Sequence, residues 1–232
     1  MKINNVDIGN FKAKLLDRNI QSSNFNIQSE WLDNSLTPII NDKINYKYKT
    51  LTFTLDFICI NANELEIMKS NLLNNLINST IKFDDIDCYY KGFISGQPSS
   101  KYIMRGNETL EITMLVIAEK AEIVESINKV TSKTIKVQGN INTPCVVEIT
   151  PSIDIIDITL EGVSEDLIVI RNLKANKTVI LDGERQTVSV DGINKFADTD
   201  MWEFPRLSPG SNVFKFSRDN CDIKIRYKPR CV

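Results

Sequence analysis

The chain has no histidine among its 232 residues. That removes the usual general base, the usual zinc ligand and any nucleophile paired with an imidazole. Cysteine is scarce and scattered: Cys59, Cys88, Cys145, Cys221 and Cys231 are odd in number and form no Cys-x-x-Cys pair. A zinc knuckle and a disulfide scaffold are both excluded. Reduced, small apolar side chains are expected, with Cys59 and Cys221 at inward positions of strands. Cationic surplus is missing too, since 28 Lys and Arg stand against 30 Asp and Glu for a formal net charge of -2. A protein that grips duplex DNA through its phosphates carries an excess of cations, so specific nucleic-acid binding is not expected. No apolar run is long enough to span a bilayer, and the opening MKINNVDIGNFKAKL has no apolar core of signal type. The expectation is a protein made and folded in the cytoplasm that leaves it, if at all, inside an assembly.

What is present is a globular composition, 42% hydrophobic and 25% charged, which argues against low-complexity disorder. The stretch from Thr178 to Phe216 organises the rest. Thr178–Leu181 and Thr187–Val190 are rich in Val and Ile and joined across Asp182-Gly183. This predicts a hairpin in which glycine accepts positive φ. Asp191-Gly192 predicts a second reversal. An aromatic and proline segment follows, from Trp202 to Asn212, and Val213–Phe216 resumes a strand.

In the first half, Tyr46–Ile60 is the clearest strand. Leu51, Phe53, Leu55, Phe57 and Cys59 share one face, and a bend near Lys49 or Thr50 is expected because Tyr46 and Tyr48 are out of phase. Asn63 is placed as the cap of a helix from Glu64 to about Ile77, with Glu66 completing a capping box. Leu65, Met68, Leu72 and Leu76 form its apolar stripe, widened by Leu73 and Ile77. Ser79–Phe83, Cys88–Ile94 and Thr109–Ala118 are further strands, with a loop at Ser95–Ser100. Before them, Phe25–Ile27 is a short β-prone piece, and Asp33–Lys43 is a long irregular segment.

Ala121–Lys133 is charged and weakly apolar, so a domain boundary is placed near Asn128–Ser132. From Thr134 onward short β-prone runs alternate with turn residues, as in a sandwich or jelly roll. The last run sets Cys221, Ile223, Ile225 and Tyr227 against Asp222, Lys224, Arg226 and Lys228. The fold expected is mainly β: an α+β domain over residues 1–130, with one helix packed on a sheet, then an all-β sandwich over residues 131–232, jelly-roll or galectin-like in strand count.

Few residues invite a chemical reading. Asp84, Asp85 and Asp87 cluster in a turn, but lack the loop pattern and downstream Glu of a cation site. Trp202 offers a face on which a sugar or partner could stack, against the simpler reading as core plug or rim residue. The basic strand Lys224, Arg226, Lys228 could meet nucleic acid or an acidic partner, and by default is a solvated face. No pair of carboxylates is singled out for glycoside hydrolysis. In Phe204, Pro205, Arg206, Leu207, Ser208, Pro209, Gly210 and Asn212 every residue type serves geometry: prolines restrict φ, Phe204 and Leu207 bury, Gly210 turns. No catalytic residue, metal site or cofactor site is expected.

Asp182-Gly183-Glu184, Val190-Asp191-Gly192 and Phe204–Asn212 together resemble the end of the distal tail proteins of long-tailed bacteriophages. The resemblance is close over the last third and one of layout over the whole chain; Phe204–Asn212 reads as the family's fold signature. It implies a non-enzymatic structural protein of a phage or prophage tail tip. The first half would form a homo-oligomeric ring, commonly of six subunits, that continues the tail tube. The stretch around Asp33–Lys43 would touch neighbouring subunits, and the second half would project outward and brace the adsorption apparatus. The implied partners are the tail tube protein, the baseplate hub or tail-associated protein, and the receptor-binding protein. Near-neutral charge also suits a pore through which DNA slides. The alternative is a carbohydrate-binding module that recognises the host surface.

Overall fold

The computed structural model describes residues 1–26, 29–40 and 45–232. It is mainly β, with a single α-helix among the described residues. The chain divides into two compact units, Met1–Glu119 with Val232, and Lys120–Cys231.

The first unit is built on one antiparallel sheet. Its strands run in the order Val6–Asp7, Lys2–Ile3, Ser79–Lys82, Tyr89–Ile94, Asn107–Glu119, Lys49–Ile58, Ala13–Gln21. The period-two pattern of the two central strands explains the pairing. Leu51, Phe53 and Leu55 stand opposite Met114, Ile112 and Leu110, and all six are buried. The Lys49–Ile58 strand starts where the phase breaks. Tyr46 instead belongs to a short separate pair, Phe25–Asn26 with Asn45–Tyr46. Of the expected pieces, Ile27 and residues 41–43 lie outside the described residues.

The helix is Ala62–Leu76, and its cap is Asn61 rather than Asn63. The sequence holds Asn-x-x-Glu twice, at Asn61/Glu64 and at Asn63/Glu66. The first is used: Asn61 Oδ1 accepts from the Glu64 amide at 2.9 Å, and Glu64 Oε2 accepts from the Ile60 amide at 2.8 Å. Starting there brings Leu65, Leu72 and Leu76 into the core of the sheet, with Met68 and Leu73 partly buried against it. Ile77, expected to widen the stripe, follows the last helical residue and is exposed.

Two long strands of this unit lie outside the sequence expectation, as does the short pair Ser29–Glu30 with Ile39–Ile40, whose second member falls in the segment expected to be irregular. Ala13–Gln21 is an edge with a bulge between Leu15 and Asp17. Ser99–Met104 occupies part of the expected loop, so only residues 95–98 connect. It is exposed along its whole length and pairs with the Asn107–Glu119 strand.

The second unit holds two antiparallel sheets that share one core, in the manner of a sandwich. One runs Ile123–Asn128, Cys221–Tyr227, Thr143–Pro151, Val179–Asp182, Thr187–Val190, Ile193–Asn194; the other runs Ser132–Val137, Gly210–Phe216, Ile155–Glu161, Ile168–Leu173, Thr199–Asp200. Inward rows such as Val147, Ile149, Ile223 and Ile225 in one sheet and Ile158, Leu160, Phe214 and Phe216 in the other are fully or almost fully buried. The division falls at Glu119 and Lys120, ahead of the 128–132 expected from composition. The reason is that Ile123–Asn128 pairs with Cys221–Tyr227 and joins the sandwich despite its charge.

Candidate functional site

The segment Phe204–Asn212 is a crossing held at nearly every residue. Pro205 is buried, and its carbonyl accepts from the Cys145 amide at 3.1 Å. The Arg206 amide donates to the Val163 carbonyl at 2.8 Å, and Arg206 Nη2 lies 2.8 Å from Glu165 and 2.6 Å from Glu203. Leu207 is fully buried, and Arg206–Leu207 pairs with the start of the Thr143–Pro151 strand. Asn212 Nδ2 donates to the carbonyls of Ser208 at 2.7 Å and Gly210 at 3.1 Å, closing the exposed turn at Ser208–Pro209. Gly210 supplies a φ of 100° there.

The hairpin before it differs from expectation in one respect. Val179–Asp182 pairs with Thr187–Val190, but Gly183 does not carry the positive φ; Gln186 does, at 56°. Gly183 is needed for space, because a Cβ there would lie 2.0 Å from the Pro205 carbonyl oxygen. Asp182 Oδ1 organises the turn by accepting from the Glu184 and Arg185 amides, each at 2.9 Å. The second reversal is as expected: Asp191 and Gly192, at φ 51° and 80°, join Thr187–Val190 to Ile193–Asn194 in a two-residue hairpin.

Trp202 is 88% exposed, so it is not a core plug. It lines neither of the two cavities described next. The outer face of the Cys221–Tyr227 strand is partly neutralised. Arg226 Nη2 lies 2.6 Å from Glu148 and Lys224 Nζ 3.9 Å from the same carboxylate. Asp84 takes the Met1 amino group at 2.8 Å, and Asp85 takes Arg18. Among the described residues no group of three or more candidate ligands gathers to hold a metal.

A cavity of about 590 Å³ opens on the second unit beside Thr187–Val190. Gln186, Thr187, Ser189, Asn194, Phe196 and Phe204 line it, and no charged side chain does; of these the sequence singles out only Phe204, as part of the crossing and not of a site. Phe204 packs on the core, and Phe196 stacks on Phe204 with centroids 5.9 Å apart and planes 27° apart. The short 3-10 turn Phe196–Asp198 is firmly tied. Asn194 Oδ1 accepts from the Phe196 amide at 2.9 Å, and Thr199 Oγ1 donates to the Phe196 carbonyl at 2.7 Å. Asp198 accepts from Lys195 Nζ at 2.6 Å and Asn172 Nδ2 at 3.0 Å, and these two bonds hold its carboxyl below the usual range. A smaller cavity of about 360 Å³ lies near the same turn. Its charges are paired: Lys177 with Asp191 at 2.7 Å, Lys195 with Asp198 at 2.6 Å.

Residues 138–230 match the family model of the siphovirus-type tail component, C-terminal domain. No curated protein matches the chain in sequence. Among solved structures the chain is similar to the Dit protein of phage SPP1, a paradigm of the hub adsorption apparatus in phages that infect Gram-positive bacteria. The TM-score is 0.77 at 9% identity, covering 99% of this chain and 98% of that one. It is also similar to a chain of the phage P2 baseplate in its activated conformation, with Ca or with Sr, at a TM-score of 0.55 and 11% identity over 96% and 92% of the two chains. The second half therefore matches the siphovirus-type tail component C-terminal domain, and the chain over nearly its whole length shares the fold of the SPP1 distal tail protein.

Proposed function

We propose that this chain is a non-enzymatic structural subunit of the tail tip of a long-tailed phage or prophage. Copies close into a ring, of about six subunits, that joins the tail tube to the baseplate and adsorption apparatus. One observation carries the reading: a family model for the second half and a whole-length fold match, found independently, point to the same kind of tail component. The partners are further copies of the chain, the tail tube protein, the baseplate hub and the receptor-binding protein. The subunit is made in the host cytoplasm and ends in the virion.

The surface of the first unit supports this. Trp31, Leu32, Leu36, Ile39 and Ile40 are all exposed, Leu36 at 95%. So are Tyr102, Ile103 and Met104 on the Ser99–Met104 strand. A monomer gains nothing from so much apolar side chain in water, whereas a subunit of a closed ring needs two different adhesive surfaces. Light scattering on the purified chain tests the ring: a six-subunit mass supports it. Antibody labelling of phage particles tests the place: label at the tail tip is expected, and virions without the chain overturn the reading. Clearing of cell-wall polysaccharide in a zymogram overturns the non-enzymatic part.

A further inference from the structure

The cavity beside Thr187–Val190 has the chemistry of a site for an uncharged, polyhydroxylated ligand. Its polar lining consists of amides and hydroxyls: Gln186, Thr187, Ser189 and Asn194. No Lys, Arg, Asp or Glu lines it, so phosphates, carboxylates and cationic peptides find no counter-charge. Thr187 and Ser189 fall on the outward row of their strand, alternating with buried Val188. Asn194 has its Oδ1 committed to the Phe196 amide, so its NH2 group is what it can offer a ligand hydroxyl.

The apolar lining is an aromatic platform. Phe196 is 49% exposed and is backed by Phe204, which is anchored on the core. The bonds from Asn194, Lys195, Asn172 and Thr199 hold the turn that carries it. Such a ring loses little freedom when a flat apolar face settles on it. A sugar ring presents that combination, a face of C–H groups with a rim of hydroxyls. The volume, about 590 Å³, lies within the range of small-ligand sites.

We propose that this cavity binds a neutral saccharide, stacked on Phe196 and hydrogen-bonded by Asn194, Thr187 and Ser189. The inference stands on the cavity and does not depend on the tail-tip reading. It also locates sugar binding away from Trp202, which does not line the cavity.

The test uses the full-length chain and saturation-transfer NMR with maltotriose, cellotriose, lactose and triacetylchitotriose at millimolar concentration. Transfer to the C–H protons of at least one of them is expected. Phe196→Ala weakens that binding about tenfold, the loss of one aromatic contact. Asn194→Asp keeps the oxygen that holds the Phe196 turn but removes the NH2 donor, and it weakens binding several-fold with the fold intact. Trp202→Ala leaves it unchanged. No transfer from any of the four sugars overturns the proposal. So does binding that survives Phe196→Ala and Asn194→Asp, or binding that Trp202→Ala abolishes.

Discussion

Gly183 and Pro205 meet backbone to backbone: a Cβ on Gly183 would sit 2.0 Å from the Pro205 carbonyl oxygen and 2.8 Å from that of Cys145. The Gly183 amide donates to the Cys145 carbonyl at 2.9 Å, and the Cys145 amide donates to the Pro205 carbonyl at 3.1 Å. The hairpin turn, the Thr143–Pro151 strand and the Phe204–Asn212 crossing are thus locked at one point.

Gly183→Ala is therefore expected to be costly, because two carbonyls and not flexible side chains must move. We expect about 3 kcal/mol of destabilisation of the second unit. Gly192→Ala is the matched comparison. A Cβ there meets nothing within 4 Å, and the penalty comes only from its φ of 80°. That penalty is about 1 kcal/mol. Denaturant unfolding of both variants checks the order; equal losses would show that the close approach is irrelevant.

In the first unit Lys69 ties the helix to the sheet. Its Nζ lies 3.0 Å from Glu108 Oε2 and 3.0 Å from Glu66 Oε1, and Glu108 is buried. Burial opposes ionisation of Glu108, but Ser100 and Lys69 prevail and hold its carboxyl below the ordinary value. Lys69 is likewise desolvated, yet hydrogen bonds to Glu66 and Glu108 raise its pKa. Lys69→Met strands a buried carboxylate and should cost about 3 kcal/mol, with much of it recovered in Lys69→Met/Glu108→Leu. A double-mutant cycle measured by unfolding decides; simple additivity would contradict a direct pair.

Acid sensitivity should be traceable to Asp85. Its hydrogen bonds to Arg18, one of 2.6 Å from Nη1, hold the carboxyl down at about 2. The folded pKa is depressed, so the stabilisation is present above the unfolded value of about 4 and is lost as pH falls towards 2. A carboxyl NMR titration should give a midpoint near 2 in the parent chain and a clear rise in Arg18→Met. An unmoved midpoint in the variant would remove Arg18 as the cause.

The parts of the fold that could be read from sequence are those where one face is buried and the other is not. Leu51 to Phe57, Leu110 to Val116 and Cys221 to Tyr227 alternate because the pleat forces them to. Ala13–Gln21, Ser99–Met104 and Ile123–Asn128 escaped for two reasons: Ser99–Met104 buries nothing, while Ala13–Gln21 and Ile123–Asn128 alternate in burial but mix polar and charged residues into both rows, so the apolar residues alone show no clean period. Asn61 and Asn63 are equivalent as caps by pattern; only packing of Leu65, Leu72 and Leu76 chooses between them. The Phe204–Asn212 segment stood out in sequence because prolines and glycines announce geometry. The cavity did not. Thr187, Ser189 and Asn194 are ordinary strand and turn residues until Phe196 is brought over them, and the only hint was an aromatic two residues after an Asn that can cap it.

Were copies of the chain to close into the proposed ring, the Ser99–Met104 edge would be the expected seam. Ser99–Met104 pairs on one side with Asn107–Glu119, and among the described residues no strand pairs with its other side. An exposed edge bearing Tyr102, Ile103 and Met104 offers both backbone groups and apolar surface to another chain. Ile103→Lys adds the charge that natural proteins use to blunt such edges. Because Ile103 is half exposed in the single chain, the substitution should change subunit stability by less than about 1 kcal/mol. If the proposed ring closes through this edge, the variant would bury an unpaired ammonium in every interface, a penalty repeated at each contact. Light scattering should then report monomers from a chain that still unfolds like the parent. A variant that assembles normally would move the seam to the Trp31–Ile40 side of the unit.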